Sequence, residues 1–153
     1  MALYLVQHGK SLPKEVDPDK GLSEEGISEV KRIAGVAAGY GCKVGKISHS
    51  GKKRAKQTAE IFESYLKPEN GVVVVSGLNP LDDVAAFSGN LSVEDNVMLV
   101  GHLPFMQRLT SYLIIGTIEP PVFKFQNGGI VCLDRQPDTP TWIIKWALMP
   151  NIS

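Results

Sequence analysis

The chain has 153 residues, enough to bury a core without disulfides or metals, so its length predicts one domain over residues 1–153. It carries 16 lysines and arginines against 16 aspartates and glutamates, so its formal net charge is zero. No overall field favours nucleic acid or an anionic membrane as a partner, and any site that binds an anion must be local.

Cysteine content and hydropathy bear on the compartment. Cys42 and Cys132 lack metal-ligand spacing and do not form the pattern of a disulfide framework, so we expect free thiols. The chain opens without a charged-then-apolar leader, and no apolar run approaches the ~18 residues of a spanning helix. These features predict a soluble, cytoplasmic protein with no membrane partner. They leave its oligomeric state open.

The first predicted element is a strand that delivers a histidine. The apolar run Leu3–Val6 breaks off at Gln7, His8 and Gly9, which is typical of a buried strand in a parallel sheet. Ligands of open α/β sheets bind beyond the carboxyl ends of the strands. His8 is therefore a candidate for chemistry, and Gly9 would let a substrate approach closely.

Further elements alternate between helix and strand. After a polar loop, Ser23 caps a predicted helix that ends near Gly39 and Gly41. The elements predicted next are strands over Lys43–Ser48 and Val72–Ser76, a helix from about Lys52 to Leu66, a short helix opened by Asn79-Pro80, and a polar connection over Ser88–Asp95.

The second half begins with another apolar run that ends in a histidine. Asn96–Gly101 predicts a strand, His102 follows it, and a helix comes next. The turn at Pro137–Pro140 predicts an antiparallel pair of Ile130–Asp134 and Trp142–Leu148. Together the elements predict a three-layer α/β/α sandwich with a mostly parallel central sheet. Both histidines would then share one edge of that sheet.

The helix predicted from about Lys52 begins with an unusual cluster of cations. Lys52, Lys53, Arg54 and Lys56 stand where the helix dipole is already positive, which disfavours each by a few tenths of a kcal/mol. A bound phosphate would offset this cost, because it accepts hydrogen bonds from free backbone N–H groups and from a guanidinium. Arg54 is the candidate phosphate ligand, and the lysines are interpreted as solvated. His49 is interpreted as a capping or surface residue.

Three stretches resemble, in the same order, the signatures of one family. LYLVQHGKS begins at Leu3, GKKRAKQTAE covers Gly51–Glu60, and VMLVGHLP begins at Val97. They resemble the signatures of the histidine phosphatase superfamily, which includes the phosphoglycerate mutases. The D-x-x-x-x-L-S-x-x-G stretch at Asp17–Gly26 and the short length make the chain most similar to SixA-type phosphohistidine phosphatases.

The resemblance implies a phosphoglycerate mutase-like fold and a phosphatase activity without metal or other cofactor. The substrate would be phosphohistidine in a partner protein or a small phosphorylated compound. His8 would be the nucleophile and would form a phosphohistidine that water then hydrolyses. Arg54 and His102 would hold the phosphoryl oxygens and counter the charge that spreads over them, with Gly9 beside them.

Two positions set limits to this resemblance. The family has arginine immediately before the nucleophile, whereas Gln7 donates hydrogen bonds to phosphate without the charge or the fork. Lys10 or Lys52 would partly compensate. Asp82, slightly ahead of Asp83, is the candidate general acid, but carboxylates at the start of a helix are also expected for structural reasons. The alternatives are a weak or inactive phosphate-recognition module and a small-metabolite phosphatase or mutase.

Overall fold

The computed structural model describes residues 2–91 and 96–152, so the predicted connection over Ser88–Asp95 lies partly outside the described residues. Strands and helices follow one another along the described ranges. The strands are β1 (Ala2–Gln7), β2 (Lys46–His49), β3 (Val72–Val74), β4 (Val97–Gly101), β5 (Ile130–Arg135) and β6 (Trp142–Leu148). The helices are α1 (Glu24–Gly39), α2 (Lys53–Leu66), α3 (Val84–Ser88) and α4 (Phe105–Ile115).

The sheet is mostly parallel, as the alternation of strand and helix predicts. Its strand order is β3-β2-β4-β1-β5-β6. The first four strands run parallel to one another, β5 pairs antiparallel with β1, and β6 pairs antiparallel with β5. β4 is buried along its whole length, and so are the central residues of β1. This burial on both faces explains why the two runs are continuously apolar rather than alternating.

Helices cover both faces of the sheet and create two separate apolar cores. On one face, α1 and α2 pack through side chains such as Val30 and Phe62. On the other face, α3 and α4 pack through Val84, Phe105 and Leu109. The structure therefore confirms the three-layer α/β/α sandwich. Both cores lie behind the end of the sheet that is formed by the carboxyl ends of β1 and β4.

The short helix after β3 is placed differently from the prediction. Asn79-Pro80 does not open it: the Asp82 carboxylate accepts a hydrogen bond from the backbone N–H of Asn79 at 2.8 Å, which closes a turn instead. Asp83 is the N-cap of α3 and accepts from the N–H of Ala86 at 3.1 Å. The prediction was wrong because two consecutive aspartates compete as caps, and the second one is followed by the helix.

Three further features lie away from the histidines. Cys42 and Cys132 are free thiols, as predicted. Within residues 2–91 and 96–152, no helix combines the length and the apolar character needed to cross a bilayer. A concavity of about 650 Å³ lies around Tyr4, Cys42 and Trp146. The concavity includes Ala2, the first residue of β1, so it lies at the end of the sheet opposite to the histidines.

Candidate active site

The two strand-end histidines lie side by side. β1 and β4 are adjacent parallel strands in which Gln7 pairs with Gly101, so His8 and His102 leave the sheet at the same level. The backbone N–H of His8 donates to the carbonyl oxygen of Gly101 at 3.0 Å. The ring centroids are 5.0 Å apart, with the planes tilted by 53°. The structure thus brings together two imidazoles that are 94 positions apart in the sequence.

His8 is oriented through one ring nitrogen. Its Nδ1 lies 2.7 Å from the carbonyl oxygen of Gly9. Because a carbonyl can only accept, Nδ1 carries the proton and Nε2 keeps a free lone pair. Burial lowers the pKa of His8 to about 4, so the ring is neutral at pH 7. Its own carbonyl accepts from Asn127 Nδ2 at 2.9 Å, which fixes the backbone at this residue.

His102 is almost completely buried, with 1% of its surface exposed. Its Nε2 lies 2.6 Å from the Oγ of Ser50, and its Nδ1 is buried without a hydrogen-bond partner among the described residues. Burial first, and then the nearby charges of His8 and Arg54, lower its pKa to about 3. The ring is therefore a neutral imidazole. It contacts the hydroxyl of Ser50, the residue that follows β2.

Arg54 carries a positive charge that acts on both histidines. It lies in the first turn of α2, is half-buried, and its guanidinium makes no hydrogen bond or ion pair with any residue that the structure describes. Its charge lowers the pKa of His8 and of His102. Burial lowers the pKa of Arg54 itself. A partly desolvated guanidinium without a carboxylate favours binding of an external anion.

A chain of hydrogen bonds connects the loop after β1 to the start of α2. The N–H of Gly9 donates to Thr58 Oγ1 at 3.0 Å, and this hydroxyl donates to the carbonyl oxygen of Arg54 at 2.8 Å. A Cβ on Gly9 would lie 2.8 Å from Val30 Cγ2. Glycine is therefore required here by packing against α1, and a phosphate-binding role for Gly9 stays a prediction.

The α2 N-terminus has the unsatisfied character that the sequence predicts. Its N-cap, Lys52, makes no side-chain capping bond, and the first turn contains no acidic residue. By contrast, the α1 N-cap Ser23 accepts from the N–H of Gly26 at 3.0 Å, and Glu24 and Glu25 follow it. The positive N-terminus of α2 is thus available to an external anion beside the two histidines.

Gln7 occupies the position at which the family signature has arginine. It is half-buried, and its carbonyl accepts from the N–H of Gly128 at 2.8 Å. Its side-chain Oε1 is buried and has no partner among the described residues. The amide thus adds no charge to the site and leaves one buried acceptor unsatisfied, which is costly.

The other residues named in the sequence interpretation are placed as follows. Lys10 is engaged by carboxylates of α1, with Nζ 2.6 Å from Glu25 and 3.7 Å from Glu29. Lys52 lies near enough to His102 to lower its pKa.

His49 is buried, and its Nδ1 accepts a hydrogen bond from the backbone N–H of Gly51 at 3.0 Å. The prediction of a capping or surface residue was wrong, because the N-cap of α2 is Lys52 and the buried His49 ring instead closes the turn between β2 and the helix.

Three residues that contact the site were not assigned a role from the sequence. Ser50 contacts His102, Thr58 contacts the Gly9 N–H, and Asn127 contacts the His8 carbonyl. Thr58 is fully buried on the face of α2 that packs on the sheet, so a hydroxyl within an apolar face was its signal. Ser50 and Asn127 carried no such signal, because each is a polar residue in a loop.

The buried imidazoles make stability depend on pH. In the folded state the pKa values of His8 and His102 are about 4 and about 3, below the ordinary value. The unfolded chain therefore binds more protons below about pH 6.5, and the stability present above that pH is lost as pH falls. We expect the free energy of unfolding to drop by about 2–4 kcal/mol between pH 7 and pH 5 in urea denaturation. His102→Gln should flatten this dependence; an unchanged slope would contradict the assignment.

Metal binding finds no support in the described side chains. Residues 2–91 and 96–152 contain no group of three or more histidine, cysteine, aspartate and glutamate side chains arranged to hold an ion.

Comparison by sequence finds no matching protein-family model and no matching curated protein. Comparison by structure finds several matches over the whole chain. The protein histidine phosphatase SixA complexed with tungstate aligns with a TM-score of 0.84 at 24% identity, covering 98% of this chain and 97% of that one. SixA from Agrobacterium tumefaciens aligns with a TM-score of 0.77 at 25% identity, covering 97% of each chain.

A protein with a small-molecule substrate in its name also matches. The alpha-ribazole phosphatase from Shigella flexneri aligns with a TM-score of 0.78 at 16% identity, covering 100% of this chain and 98% of that one. The alignments also cover 97–98% of each of these three structures. The chain therefore has the phosphoglycerate mutase-like fold of the histidine phosphatase superfamily, with SixA phosphohistidine phosphatases among the structures that it resembles.

Proposed function

We propose that the chain is a phosphatase that transfers a phosphoryl group first to His8 and then to water. The observation that carries this proposal is the 2.7 Å hydrogen bond between His8 Nδ1 and the Gly9 carbonyl oxygen. It keeps the ring proton on Nδ1 and leaves the Nε2 lone pair available. A ring pKa of about 4 keeps that lone pair unprotonated at neutral pH.

The reaction proceeds in two displacements. In the first, His8 Nε2 attacks phosphorus, the N–P bond forms, and the bond to the leaving group breaks, so that the leaving group departs with the electron pair and gains a proton. In the second, the oxygen of a water molecule attacks phosphorus and the N–P bond breaks. The electron pair returns to Nε2, and inorganic phosphate leaves. One difficult displacement is divided into two easier ones.

The phosphoryl oxygens are held by Arg54 and His102. The Arg54 guanidinium lacks a carboxylate partner in the described chain, so its fork is available to two oxygens. His102 would contribute an N–H at Nε2, the nitrogen that lies 2.6 Å from Ser50 Oγ, by exchanging that hydroxyl for a phosphoryl oxygen. Both groups oppose the negative charge that spreads over the equatorial oxygens in the transition state. The free N–H groups of the α2 N-terminus act in the same direction.

The leaving group favours phosphohistidine as substrate. A leaving imidazole can be protonated before the reaction, so it needs a dedicated acid less than an alkyl ester does. For an ester, Asp82 is the proposed general acid, although its carboxylate is engaged by the Asn79 N–H at 2.8 Å. The resemblance to the protein histidine phosphatase SixA supports a phosphorylated protein as partner. The alpha-ribazole phosphatase supports a small phosphorylated compound as the alternative.

The test is hydrolysis of p-nitrophenyl phosphate and of a phosphohistidine protein, with tungstate as competitor. We expect turnover of both substrates, inhibition by tungstate, and a loss of about 100-fold in kcat/KM for Arg54→Ala. Arg32→Ala is the matched control, because Arg32 lies on α1 and donates to the Pro150 carbonyl oxygen. Absence of turnover in the unaltered protein would contradict the phosphatase.

Gln7 favours a second candidate function, a phosphate-recognition module without catalysis. Its neutral amide contributes hydrogen bonds but none of the charge that stabilises a transferring phosphoryl group. Such a module would bind phosphate or a phosphorylated protein at Arg54 and the two histidines. It would never form a phosphohistidine at His8.

A further inference from the structure

A second cation approaches the histidines from the loop before α1. Lys20 is half-buried, and its backbone φ of +52° lies in the left-handed region. That conformation costs roughly 1–2 kcal/mol for a residue other than glycine and persists only when the surroundings impose it. The structure therefore holds this lysine in a defined place rather than on a freely moving loop.

The side chain of Asp17 imposes the conformation. Its Oδ1 accepts from the N–H of Asp19 at 3.1 Å, and its Oδ2 accepts from the N–H of Gly21 at 2.9 Å. Both residues that flank Lys20 are thus tied to one carboxylate. The same carboxylate binds Lys53 Nζ at 2.9 Å, and this ion pair, together with the two backbone bonds, lowers the pKa of Asp17 to about 2. The loop is anchored to the first turn of α2.

The residue after Lys20 lies directly against α2. A Cβ on Gly21 would come within 2.8 Å of Lys53 Cε and 3.0 Å of Gln57 Oε1. The N–H of Leu22 donates to the same Gln57 oxygen at 2.7 Å. These contacts fix the loop at the helix end that carries Arg54, so Lys20 starts from the rim of the candidate active site.

Lys20 differs from the neighbouring lysines Lys10 and Lys53, because they form ion pairs and it does not. Lys10 is bound by Glu25 and Lys53 by Asp17. Lys20 Nζ has no hydrogen bond or ion pair with any residue in the described ranges. Its charge contributes to the lowered pKa of both His8 and His102, whose rings are 5.0 Å apart. Arg54 and Lys20 are thus the cations without a partner in the described ranges whose charges act on both imidazoles, whereas Lys52 acts on His102 alone.

We propose that Lys20 is a phosphate-binding residue of this site, a second cation beside Arg54 that contacts the bound phosphoryl group from the loop over the sheet edge. The inference rests on the proposed function, because it assigns Lys20 to the same anion. Neither Lys10, which carboxylates hold, nor Gln7, which is neutral, can supply this charge. An ammonium group acts here as a point charge rather than a bidentate fork.

The experiment compares Lys20→Met with Lys14→Met, an exposed lysine of the same loop. Dissociation constants for inorganic phosphate and tungstate are measured by calorimetry. We expect Lys20→Met to weaken both by about tenfold or more, as one charge-assisted contact is lost. Lys20→Arg should stay within about threefold of the unaltered protein, because it keeps the charge. Lys14→Met should change nothing.

A second measurement does not depend on phosphate. Histidine titration followed by NMR in each variant should show higher pKa values for His8 and His102 in Lys20→Met than in Lys14→Met, because a nearby positive charge is removed. Unchanged pKa values, or equal phosphate affinity in Lys20→Met and Lys14→Met, would overturn the assignment. If the unaltered protein bound phosphate without turning over substrate, the phosphatase would fail while an affinity loss in Lys20→Met still supported Lys20.

Discussion

Replacing His8 with alanine is expected to reduce kcat for an aryl phosphate and for a phosphohistidine protein by at least about 10⁴-fold. The imidazole is the only group whose geometry we assign to covalent chemistry, so its loss removes the two-step route altogether. His8→Asn is a closer steric replacement that also lacks a nucleophilic nitrogen, and it should behave in the same way. Trapping the unaltered enzyme with substrate should yield a phosphorylated peptide that contains His8.

The comparison of turnover requires that the His8→Ala and His8→Asn variants fold normally. His8 is partly exposed and its backbone bonds to Gly101 and Asn127 remain in both variants, so we expect a normal thermal transition. Equal turnover by the unaltered protein and a folded His8→Ala variant would remove His8 from the mechanism. A phosphorylated peptide that lacks His8 would do the same.

Replacing Gln7 with arginine is expected to raise kcat/KM by about two to three orders of magnitude. The guanidinium would place a charge and a fork at the end of β1, next to the proposed nucleophile. It would also replace an amide whose buried Oε1 has no partner in the described chain. Removing an unsatisfied buried acceptor is favourable in itself, so we do not expect the gain in rate to be offset by a large loss of stability.

Two control variants separate charge from geometry at this position. Gln7→Lys adds a positive charge without the fork, and Gln7→Met adds neither while keeping the size of the side chain. We expect Gln7→Lys to fall between the arginine variant and the unaltered protein, and Gln7→Met to differ little from the latter. A Gln7→Arg variant that is no faster than the unaltered protein would contradict the view that this position limits catalysis.

The same substitution distinguishes the two proposed functions. If the unaltered protein binds phosphate but gives no phosphorylated peptide, and Gln7→Arg gives both a phosphorylated peptide and turnover, the natural chain is a phosphate-recognition module. If the unaltered protein already yields phosphorylated His8, it is a phosphatase whose rate Gln7 restrains.

The central features of the fold follow from the sequence because they depend on local pattern. The continuous apolar runs that precede His8 and His102 predict buried parallel strands, and the structure confirms both. Ser23 predicts the start of the first helix through its side-chain cap, which the structure also confirms. Asn79-Pro80 fails as a helix start, because the choice among several possible caps depends on how the chain returns to the sheet.

The sequence by itself determined the strands, the three long helices and the positions of the two histidines and Arg54 along them, because hydrophobic periodicity and strand-end position are properties of short segments. Only the tertiary structure decided which nitrogen of His8 is free, that Lys10 and Lys53 are paired with carboxylates while Lys20 is not, and that Ser50, Thr58 and Asn127 contact the site. The contacts of Thr58, Ser50 and Asn127 join residues that are 49, 52 and 119 positions apart in the sequence. The distances between such residues are fixed by how the layers pack, and no local pattern encodes them.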